Sequence, residues 1–397
     1  MSIKMSSGYS ATEDAFNAGK EAAQIAFQKL NNEKPDQVLL FTTVGYELED
    51  VLEGIKEVTG DVPISGCSGD GIITQELIDE GLFSISLAFL KAENAKIYNF
   101  VETGLKADSF ACGKSISEKI KAFPSNEGDN KLLLVFPDSF TANLTQLFKG
   151  IETNGSIPII GGASGDNLKW AKSYQFHNEK VLSDSVSAVY ITGSFKFDTL
   201  ISHGTDETSF ENLVTKSDKN NIIELDNKPA LDVLSEYYGE PITDDNFGGA
   251  AVSLGVGDRI PDDIPISEYD SKYILRTIMG IDSQKKSVML PAEIKEGDPI
   301  TIVRRDNEVI LNYAKKAADK MAAKIKDSEI TGILHFDCAG RGACIFGERA
   351  KEEPQIFQQE FGKNIPWCGF YCFTEIAPVG GKNYSHNYTS ILLLFYQ

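Results

Sequence analysis

The sequence predicts an α/β fold of two domains, built from duplicated strand–helix–strand units whose mixed β-sheets are flanked by helices. The phrase Gly-x-Ser-Gly-Asp occurs twice, ending at Asp70 and, 96 residues later, at Asp166. The predicted order strand, helix, strand, loop, strand occurs twice between residues 37 and 204, and a third, more divergent copy occurs at 330–396. This interval is too long for a solenoid repeat. It suits an α/β unit, in which ligands usually bind at the carboxyl ends of strands.

The first unit opens with a helix. Ser10 and Glu13 have the spacing of a capping box, an alanine-rich apolar face follows, and Pro35 ends the helix. An apolar run at 37–44 indicates a buried strand. An amphipathic pattern at 46–58 predicts a second helix, with Gly60 as its C-cap. A short strand leads into the first Gly-Ser-Gly-Asp loop, and 82–90 is the strand after it.

The second unit repeats this order, with its elements predicted at 131–136, 143–151, 157–160 and 187–192. The composition turns polar at 216–227, which favours a boundary and divides the chain into domains at 1–222 and 223–397. The second domain is predicted to begin with a short helix at 229–238, followed by strands at 250–256, 273–279, 287–290 and 300–304. A helix at 308–325 then leads into the divergent third copy, predicted at 330–336, 353–361, 367–373 and 388–396.

The composition favours a globular cytoplasmic protein. The 397 residues are 42% hydrophobic and 24% charged, and a net charge of −20 disfavours partners such as nucleic acid or anionic lipid. No apolar run approaches the roughly 18 residues that span a bilayer, and the first residues lack the apolar stretch of a signal peptide. We therefore expect no membrane insertion, and six cysteines that remain reduced thiols.

The duplicated loops could hold a zwitterionic metabolite. Glycine-rich backbone N–H groups with Ser68 and Ser164 would donate to a carboxylate. An ammonium group would be accepted by one of three carboxylates, those of Asp70, Asp166 and Glu375. The alternative is that Gly-Asp simply makes tight turns in which the aspartate accepts from its own backbone. Both interpretations stay open on the sequence.

Three further side chains have a functional and a structural interpretation. Arg341 could clamp a carboxylate with its guanidinium fork, or form a structural ion pair. Cys67 could be a reactive thiol, or a small buried hydrophobe. His386, next to Asn387, could contact a ligand or haem, or be a hydrogen-bonded structural histidine. The cysteine spacings do not form a zinc knuckle, and no nucleophile–base pattern emerges, so no metal and no catalytic residue are assigned.

Five stretches resemble the motifs of FIST proteins (F-box and intracellular signal transduction), a ligand-sensing module with an N-terminal and a C-terminal half. They are Gly66-Cys67-Ser68, the Gly-Gly-x-x-Gly-Asp ending at Asp166, Cys338-Ala339-Gly340-Arg341, Gly369-Phe370-Tyr371 with Glu375-Ile376-Ala377-Pro378, and His386-Asn387-Tyr388-Thr389. The similarity covers the chain from about residue 24 to its end. Two positions depart from the pattern: Asp70 lies where many relatives have a Gly-Glu pair, and Thr374 replaces a glycine.

The resemblance implies a non-catalytic cytoplasmic sensor of an amino-acid-like metabolite. Its partner would be a separate signalling protein such as a kinase, a cyclase or a chemoreceptor, since no output domain is recognised in the chain. Some relatives bind haem and respond to nitric oxide, which makes a haem-based sensor one alternative and a hydrolase or transferase using Cys67 or Ser68 another. We expect the loops to converge around one cavity, with ligand contacts from Cys67, Ser68, Asp70, Ser164, Asp166, Arg341, Tyr371, Glu375, His386 and Asn387.

Overall fold

Three similar α/β units and one inserted subdomain make up the chain in the computed structural model, which describes residues 3–126, 128–267 and 269–397. The first unit comprises β1 (Ile3–Ser10), α1 (Ala15–Lys29), β2 (Gln37–Thr42), α2 (Leu48–Thr59), β3 (Ile64–Ser68), β4 (Gly71–Thr74), β5 (Ile78–Asp79) and β6 (Ile85–Ala92). The second comprises β7 (Ala95–Thr103), α3 (Leu105–Ala122), β8 (Asn130–Pro137), α4 (Leu144–Ile151), β9 (Ile159–Ala163), β10 (Gln175–His177), β11 (Lys180–Leu182) and β12 (Ser185–Gly193).

The third unit is interrupted after its first strand, β13 (Lys196–Ser202). The inserted subdomain contains β14 (Asp206–Asp218), β15 (Asn221–Leu225), β16 (Lys228–Pro229), α5 (Ala230–Tyr238), α6 (Phe247–Ser253), β17 (Leu254–Arg259), β18 (Tyr273–Arg276), β19 (Gly280–Asp282), β20 (Ser287–Met289) and β21 (Pro299–Arg304). The unit resumes with α7 (Asn307–Lys324), β22 (Ile330–Cys338), α8 (Ala343–Phe346), α9 (Glu352–Phe361), β23 (Trp367–Cys372), β24 (Thr374–Val379), β25 (Lys382–His386) and β26 (Ser390–Tyr396).

The three units exchange their hairpins in a cycle. The sheet of the first unit has the order β1-β6-β2-β3-β10-β11, so it takes the β10–β11 hairpin of the second unit. The second sheet takes β24–β25 from the third unit, and the third sheet takes β4–β5 from the first. Because each donated hairpin comes after the loop that follows β3, β9 or β23, the exchange brings these three loops together near a pseudo-threefold axis.

The main hydrophobic core lies on this axis, between the inner faces of the three sheets. Phe41, Phe136 and Phe336 occupy equivalent positions in β2, β8 and β22, with ring centroids 5.2–6.3 Å apart. All three are completely buried. Helix pairs cover the outer faces, α1 with α2, α3 with α4, and α7 with α9. Equivalent residues from all three units thus share one core, which confirms the third, divergent copy.

Glycines of the loop motif let parallel strands approach closely. Gly66 has φ +146° and Gly161 has φ +155°, and a Cβ atom at either would lie 1.9–2.0 Å from a carbonyl oxygen of the neighbouring strand. A Cβ at Gly369 would lie 2.1 Å from the His335 oxygen in the same way. Strand register pairs these glycines with residues 40, 135 and 335. Gly66 is therefore the counterpart of Gly161, whereas alignment on Gly-x-Ser-Gly-Asp would pair it with Gly162.

The predicted α/β class, with mixed sheets flanked by helices, is confirmed. The capping box of Ser10 and Glu13 is wrong: residues 3–10 pair with β6, and Asp14 is the N-cap, accepting from the Asn17 N–H at 2.9 Å. The predicted strand at 250–256 is wrong in its first part, where α6 forms instead. Sequence reasoning also missed β1, β7 and the kinked helix α3.

The proposed division at residues 222 and 223 falls within β15 and stays a prediction. Within the described residues, no helix combines the length and the apolar character needed to cross a membrane.

Candidate functional site

The loops that follow β3, β9 and β23 meet at the carboxyl ends of these strands. The Gly165 N–H donates to the Ser68 carbonyl at 2.9 Å, which joins the first and second loops. The Asp70 N–H donates to the Tyr371 carbonyl at 2.8 Å, and the Phe373 N–H to Ala163 at 3.1 Å. The expected convergence is therefore present, although the loops contact one another directly and the cavity lies to one side of them.

Three predicted loop residues use their polar atoms within the protein. The Ser68 hydroxyl donates to the Gly165 carbonyl at 2.7 Å and accepts from the Tyr174 N–H. The Ser164 hydroxyl lies 2.6 Å from that of Ser173 and is buried. The Asp166 carboxylate accepts three backbone N–H groups at 2.6–3.0 Å, from residues 170, 171 and 172. These contacts shape the loops, so a direct ligand contact by any of the three stays a prediction.

Asp70 links the first loop to the segment after the second. One carboxylate oxygen accepts from the N–H groups of Asp166 and Leu168, at 3.1 and 2.8 Å. The other oxygen is buried and has no hydrogen-bond partner among the described residues. Burial raises the pKa of Asp70 to about 7, reinforced by the charges of Asp166 and Glu80 and opposed by the two N–H donors. The first loop therefore positions residues 166–168 through a carboxyl group that titrates near neutrality.

We expect Asp70→Asn to gain stability relative to wild type as the pH rises. A raised carboxyl pKa stabilises the fold below the unfolded value of 3.8, and this stabilisation is lost as the pH rises through about 7. The uncharged amide escapes that loss, so the difference in unfolding free energy should shift by about 2–3 kcal/mol between pH 5 and pH 8. Urea unfolding at both pH values measures it. Asp61→Asn, at a side chain 93% exposed, is the control, and an equal shift in both variants would contradict the prediction.

Glu375 is a second buried carboxyl at the loop crossing. It accepts from the Thr389 N–H at 3.0 Å and the Thr389 hydroxyl at 2.8 Å. Its other oxygen lies 3.5 Å from the Cys372 thiol. Burial raises the pKa of Glu375 to about 7. These bonds fasten the His-Asn-x-Thr stretch to the third loop, and thereby position Asn387 and Tyr388.

Arg341 and Tyr371 are embedded in the third unit. The Arg341 guanidinium is 1% exposed, pairs with Glu353 and donates to three backbone carbonyls. Tyr371 is completely buried, and its hydroxyl lies 3.4 Å from the Ala350 carbonyl. Arg341 therefore has the contacts expected of a structural ion pair, the second of its two interpretations from the sequence. A ligand role for either residue stays a prediction.

Cys67 and His386 are also completely buried. Burial, reinforced by Asp70, raises the pKa of the Cys67 thiol well above its usual value. His386 has one ring nitrogen 3.0 Å from the Ala377 carbonyl, and burial lowers its pKa to about 3. Among the described residues, no group of three or more His, Cys, Asp and Glu side chains is arranged to hold a metal ion.

A cavity of about 280 Å³, the Arg305 cavity, lies beside the loop crossing. Its walls come from both halves of the sequence: Leu168 and Trp170 after the second loop, Phe373 in the third, and residues 247–252, 277–279, 338–340 and 387–388. Of the ten predicted site residues, Asn387 lines it. Trp170 packs edge-on against Phe373, with ring centroids 4.4 Å apart. The lining is mainly apolar and aromatic, as in small-molecule sites.

Arg305 supplies the positive charge of this cavity. It is 7% exposed, and its guanidinium lies 3.7 Å from the centroid of the Tyr388 ring. Two of its nitrogens donate to the carbonyls of Val252 and Gly340, at 2.7 and 2.6 Å. It makes no salt bridge with any described residue. A buried charge without a counter-ion is costly, so this arginine favours an anionic group in the cavity.

The segment 166–172 forms the exposed wall of the Arg305 cavity. Asn167, Leu168 and Trp170 all have φ near +55°, a conformation that costs non-glycine residues roughly 1–3 kcal/mol each. The carboxylates of Asp70 and Asp166 hold this backbone. Trp170 is 56% exposed and Leu168 is 42% exposed. A strained segment with a large apolar surface is therefore placed where a bound molecule would touch it.

Sequence reasoning missed Arg305 and Trp170. Trp170 carried a usable signal, because a tryptophan in a polar loop four residues after a Gly-Asp turn is unusual. Arg305 carried no such signal, because it follows another arginine and the sequence does not show which of the two is buried. Arg304 is exposed and bonds to the Tyr237 carbonyl. Only the packing of the inserted subdomain against the third unit distinguishes the two arginines.

Comparison with known proteins agrees with this architecture. Residues 36–228 match the FIST N domain, and residues 230–378 match the FIST C domain. Uncharacterised proteins of Mycobacterium bovis and Mycobacterium tuberculosis are each 25% identical over 397 residues, covering 99% of both chains. An uncharacterised protein of Methanocaldococcus jannaschii is 28% identical over 344 residues, which are 82% of this chain and 64% of that protein.

FIST domains are associated with sensing in signal transduction. The two matches are consecutive and together span most of the sequence. The chain therefore belongs to the FIST family, with a FIST N domain followed by a FIST C domain.

Proposed function

We propose that this protein is a cytoplasmic, non-catalytic sensor that binds an amino-acid-like metabolite in the Arg305 cavity and signals through a separate protein. The observation that carries the proposal is the buried Arg305 guanidinium, which has no salt bridge to a described residue and lines an apolar cavity. A guanidinium fork matches the two oxygens of a carboxylate. The ligand would supply the missing negative charge.

The aromatic walls suit the rest of such a ligand. An ammonium group is attracted to the face of an aromatic ring, and Trp170 and Phe373 present rings to the cavity. An apolar side chain would lie against residues 278–279 and 251–252. A volume of about 280 Å³ is of the size needed for a single amino acid rather than a larger cofactor.

The segment 166–172 is the proposed output. It forms one wall of the cavity and carries the exposed Leu168 and Trp170. A ligand can shift a conformational equilibrium only through contacts that differ between the two states. Strain in this segment lowers the free-energy cost of leaving its present conformation, so that ligand contacts could shift it. A kinase, a cyclase or a chemoreceptor would read the change on its surface.

The absence of catalysis is part of the proposal. The nucleophile candidates of the sequence, Cys67 and Ser68, are completely buried and do not line the Arg305 cavity. A buried thiol with a raised pKa is a poor nucleophile, because the thiolate is the reactive form. The free state of all six cysteines agrees with a reducing compartment.

Tryptophan fluorescence tests the proposal. The protein has two tryptophans, Trp170 in the cavity wall and the completely buried Trp367, so a ligand should perturb the first. Titration with the common amino acids is expected to give a saturable emission change for at least one of them, absent in Trp170→Phe. Arg305→Met should weaken binding about 10–100-fold, since a hydrogen bond to a charged group contributes about 1.5–3 kcal/mol.

Arg304→Met is the matched control, because that neighbouring arginine points to Tyr237 outside the cavity. Its affinity should equal that of wild type, and the amide derivative of the same amino acid should bind wild type and Arg305→Met equally. Unchanged emission with every amino acid, or equal affinities of wild type and Arg305→Met, would refute the proposal.

A further inference from the structure

A second cavity, of about 500 Å³, lies on the other side of Asn387 from the Arg305 cavity. We call it the three-lysine cavity, after Lys149, Lys219 and Lys295 in its walls. It lies beyond the carboxyl end of β8, at the loop 139–143, just as the Arg305 cavity lies beyond the carboxyl end of β22. The pseudo-threefold arrangement therefore gives two units a cavity in equivalent positions, where α/β sheets commonly bind ligands.

The charges of the second cavity are unbalanced. Lys149, Lys219 and Lys295 come from α4, the β14–β15 turn and the segment before β21, and none forms a salt bridge with a described residue. Glu293 is the one carboxylate among the described residues of the lining. The cavity therefore has a net positive charge in a protein whose net charge is −20. The three lysines are exposed residues, and cationic side chains grouped around one cavity attract anions.

Two hydroxyl groups add unused hydrogen-bonding capacity. The Ser139 and Thr141 side-chain oxygens are shielded from solvent and have no hydrogen-bond partner among the described residues. Both residues belong to the loop that lines the cavity. A buried hydroxyl without a partner is unfavourable, and rotation of either side chain about χ1 toward the cavity would let its hydroxyl donate to an anionic oxygen. The lysines of the groove between β13 and α7 differ from those of this cavity, because Lys316, Lys320 and Lys324 each pair with an aspartate.

We propose that the three-lysine cavity is a second binding site, for a small polyanion that carries phosphate or carboxylate groups. The lysines neutralise its charge, and Ser139 and Thr141 donate to its oxygens. The site is separate from the Arg305 cavity in its chemistry, since one is polar and cationic and the other mainly aromatic. Asn387 separates them: its amide donates to the Thr374 hydroxyl at 3.3 Å on one side and accepts from the Thr277 N–H at 3.3 Å on the other.

Calorimetric titration of the full chain with pyrophosphate and with citrate, at constant ionic strength, tests this inference. Saturable binding of at least one anion is expected. The anion that binds more tightly shows whether the site prefers phosphate or carboxylate groups. Lys149→Gln/Lys295→Gln should raise its dissociation constant at least about tenfold, since two charge-assisted contacts are lost. The double variant Lys106→Gln/Lys114→Gln changes the net charge equally at two exposed lysines outside the cavity and should bind as wild type does.

Two further variants test whether the anion binds in the three-lysine cavity. Ser139→Ala removes a hydroxyl that bonds to no described residue, so the melting temperature should not fall while the affinity for the anion does. Arg305→Met should bind the anion normally, which separates this site from the proposed sensor cavity. The inference is overturned if neither anion binds, if the two double variants bind equally, or if Arg305→Met alone abolishes binding.

Discussion

Arg341→Met is expected to destabilise the fold by about 3–5 kcal/mol, because it would leave buried carboxylates without their counter-ion. Arg341 is 1% exposed and pairs with Glu353, while Asp337 lies 3.6 Å from its Nε. One guanidinium nitrogen also donates to the carbonyls of residues 202, 203 and 388 at 2.8–3.1 Å. Methionine fills much of the volume but satisfies none of these groups.

Chemical denaturation at pH 7 measures this effect. Arg349→Met is the control, since that arginine is 44% exposed and pairs with Glu308 and Glu352, where exposed ion pairs contribute about 0–1 kcal/mol. Combining Arg341→Met with Glu353→Met should restore part of the loss, because the second substitution removes the unpaired carboxylate. Equal unfolding free energies of the two single arginine variants would show that the buried pair is not structural.

Gly161→Ala is expected to destabilise the protein by at least about 3 kcal/mol, or to prevent folding, since steric overlap and backbone strain add. The new Cβ would lie 2.0 Å from the Val135 carbonyl oxygen, at a φ of +155°. Relieving the overlap would require β8 and β9 to separate within the completely buried core of the second sheet. Gly66→Ala should behave in the same way, because its Cβ would lie 1.9 Å from the Leu40 oxygen.

Gly155→Ala separates strain from overlap. Gly155 also has a positive φ, +121°, but a Cβ there would meet no atom of the described residues within 4 Å. It should therefore show only the strain, roughly 1–3 kcal/mol. Thermal unfolding of the two variants compares them directly. If Gly161→Ala and Gly155→Ala lost the same stability, the close approach of the strands would not be the reason for glycine in the loop motif.

Local patterns predicted most of the central elements. The apolar runs that became β2, β8 and β22 are short and continuous because these strands are buried on both faces. The edge strands β1 and β7 were missed because one face of each is partly exposed or polar, and their pairing partners lie far along the chain. The kink at Asp108 interrupts the helical pattern of α3. Helix α6 formed over the first residues of the strand predicted at 250–256.

The candidate site was predicted less completely than the fold. The glycine loops were recognised and do converge, and Asn387 lies in the Arg305 cavity. The Asp166 carboxylate accepts a hydrogen bond from the backbone of its own loop, which is the arrangement that the tight-turn interpretation describes. Arg305, Trp170 and Phe373 line one cavity although they lie more than 60 residues apart in sequence. No periodicity or motif spacing encodes such a meeting.

By itself, the sequence determined the α/β class, the repeated units, the positions of the glycine loops and the resemblance to FIST proteins, because each depends on neighbouring residues in the chain. Tertiary structure alone decided that the units exchange hairpins, that Arg341 contacts two carboxylates, and that Arg305 faces a cavity with no carboxylate among its described lining residues. The physical reason is that burial and charge pairing are set by which distant segments pack together, and two adjacent arginines, Arg304 and Arg305, can receive opposite environments.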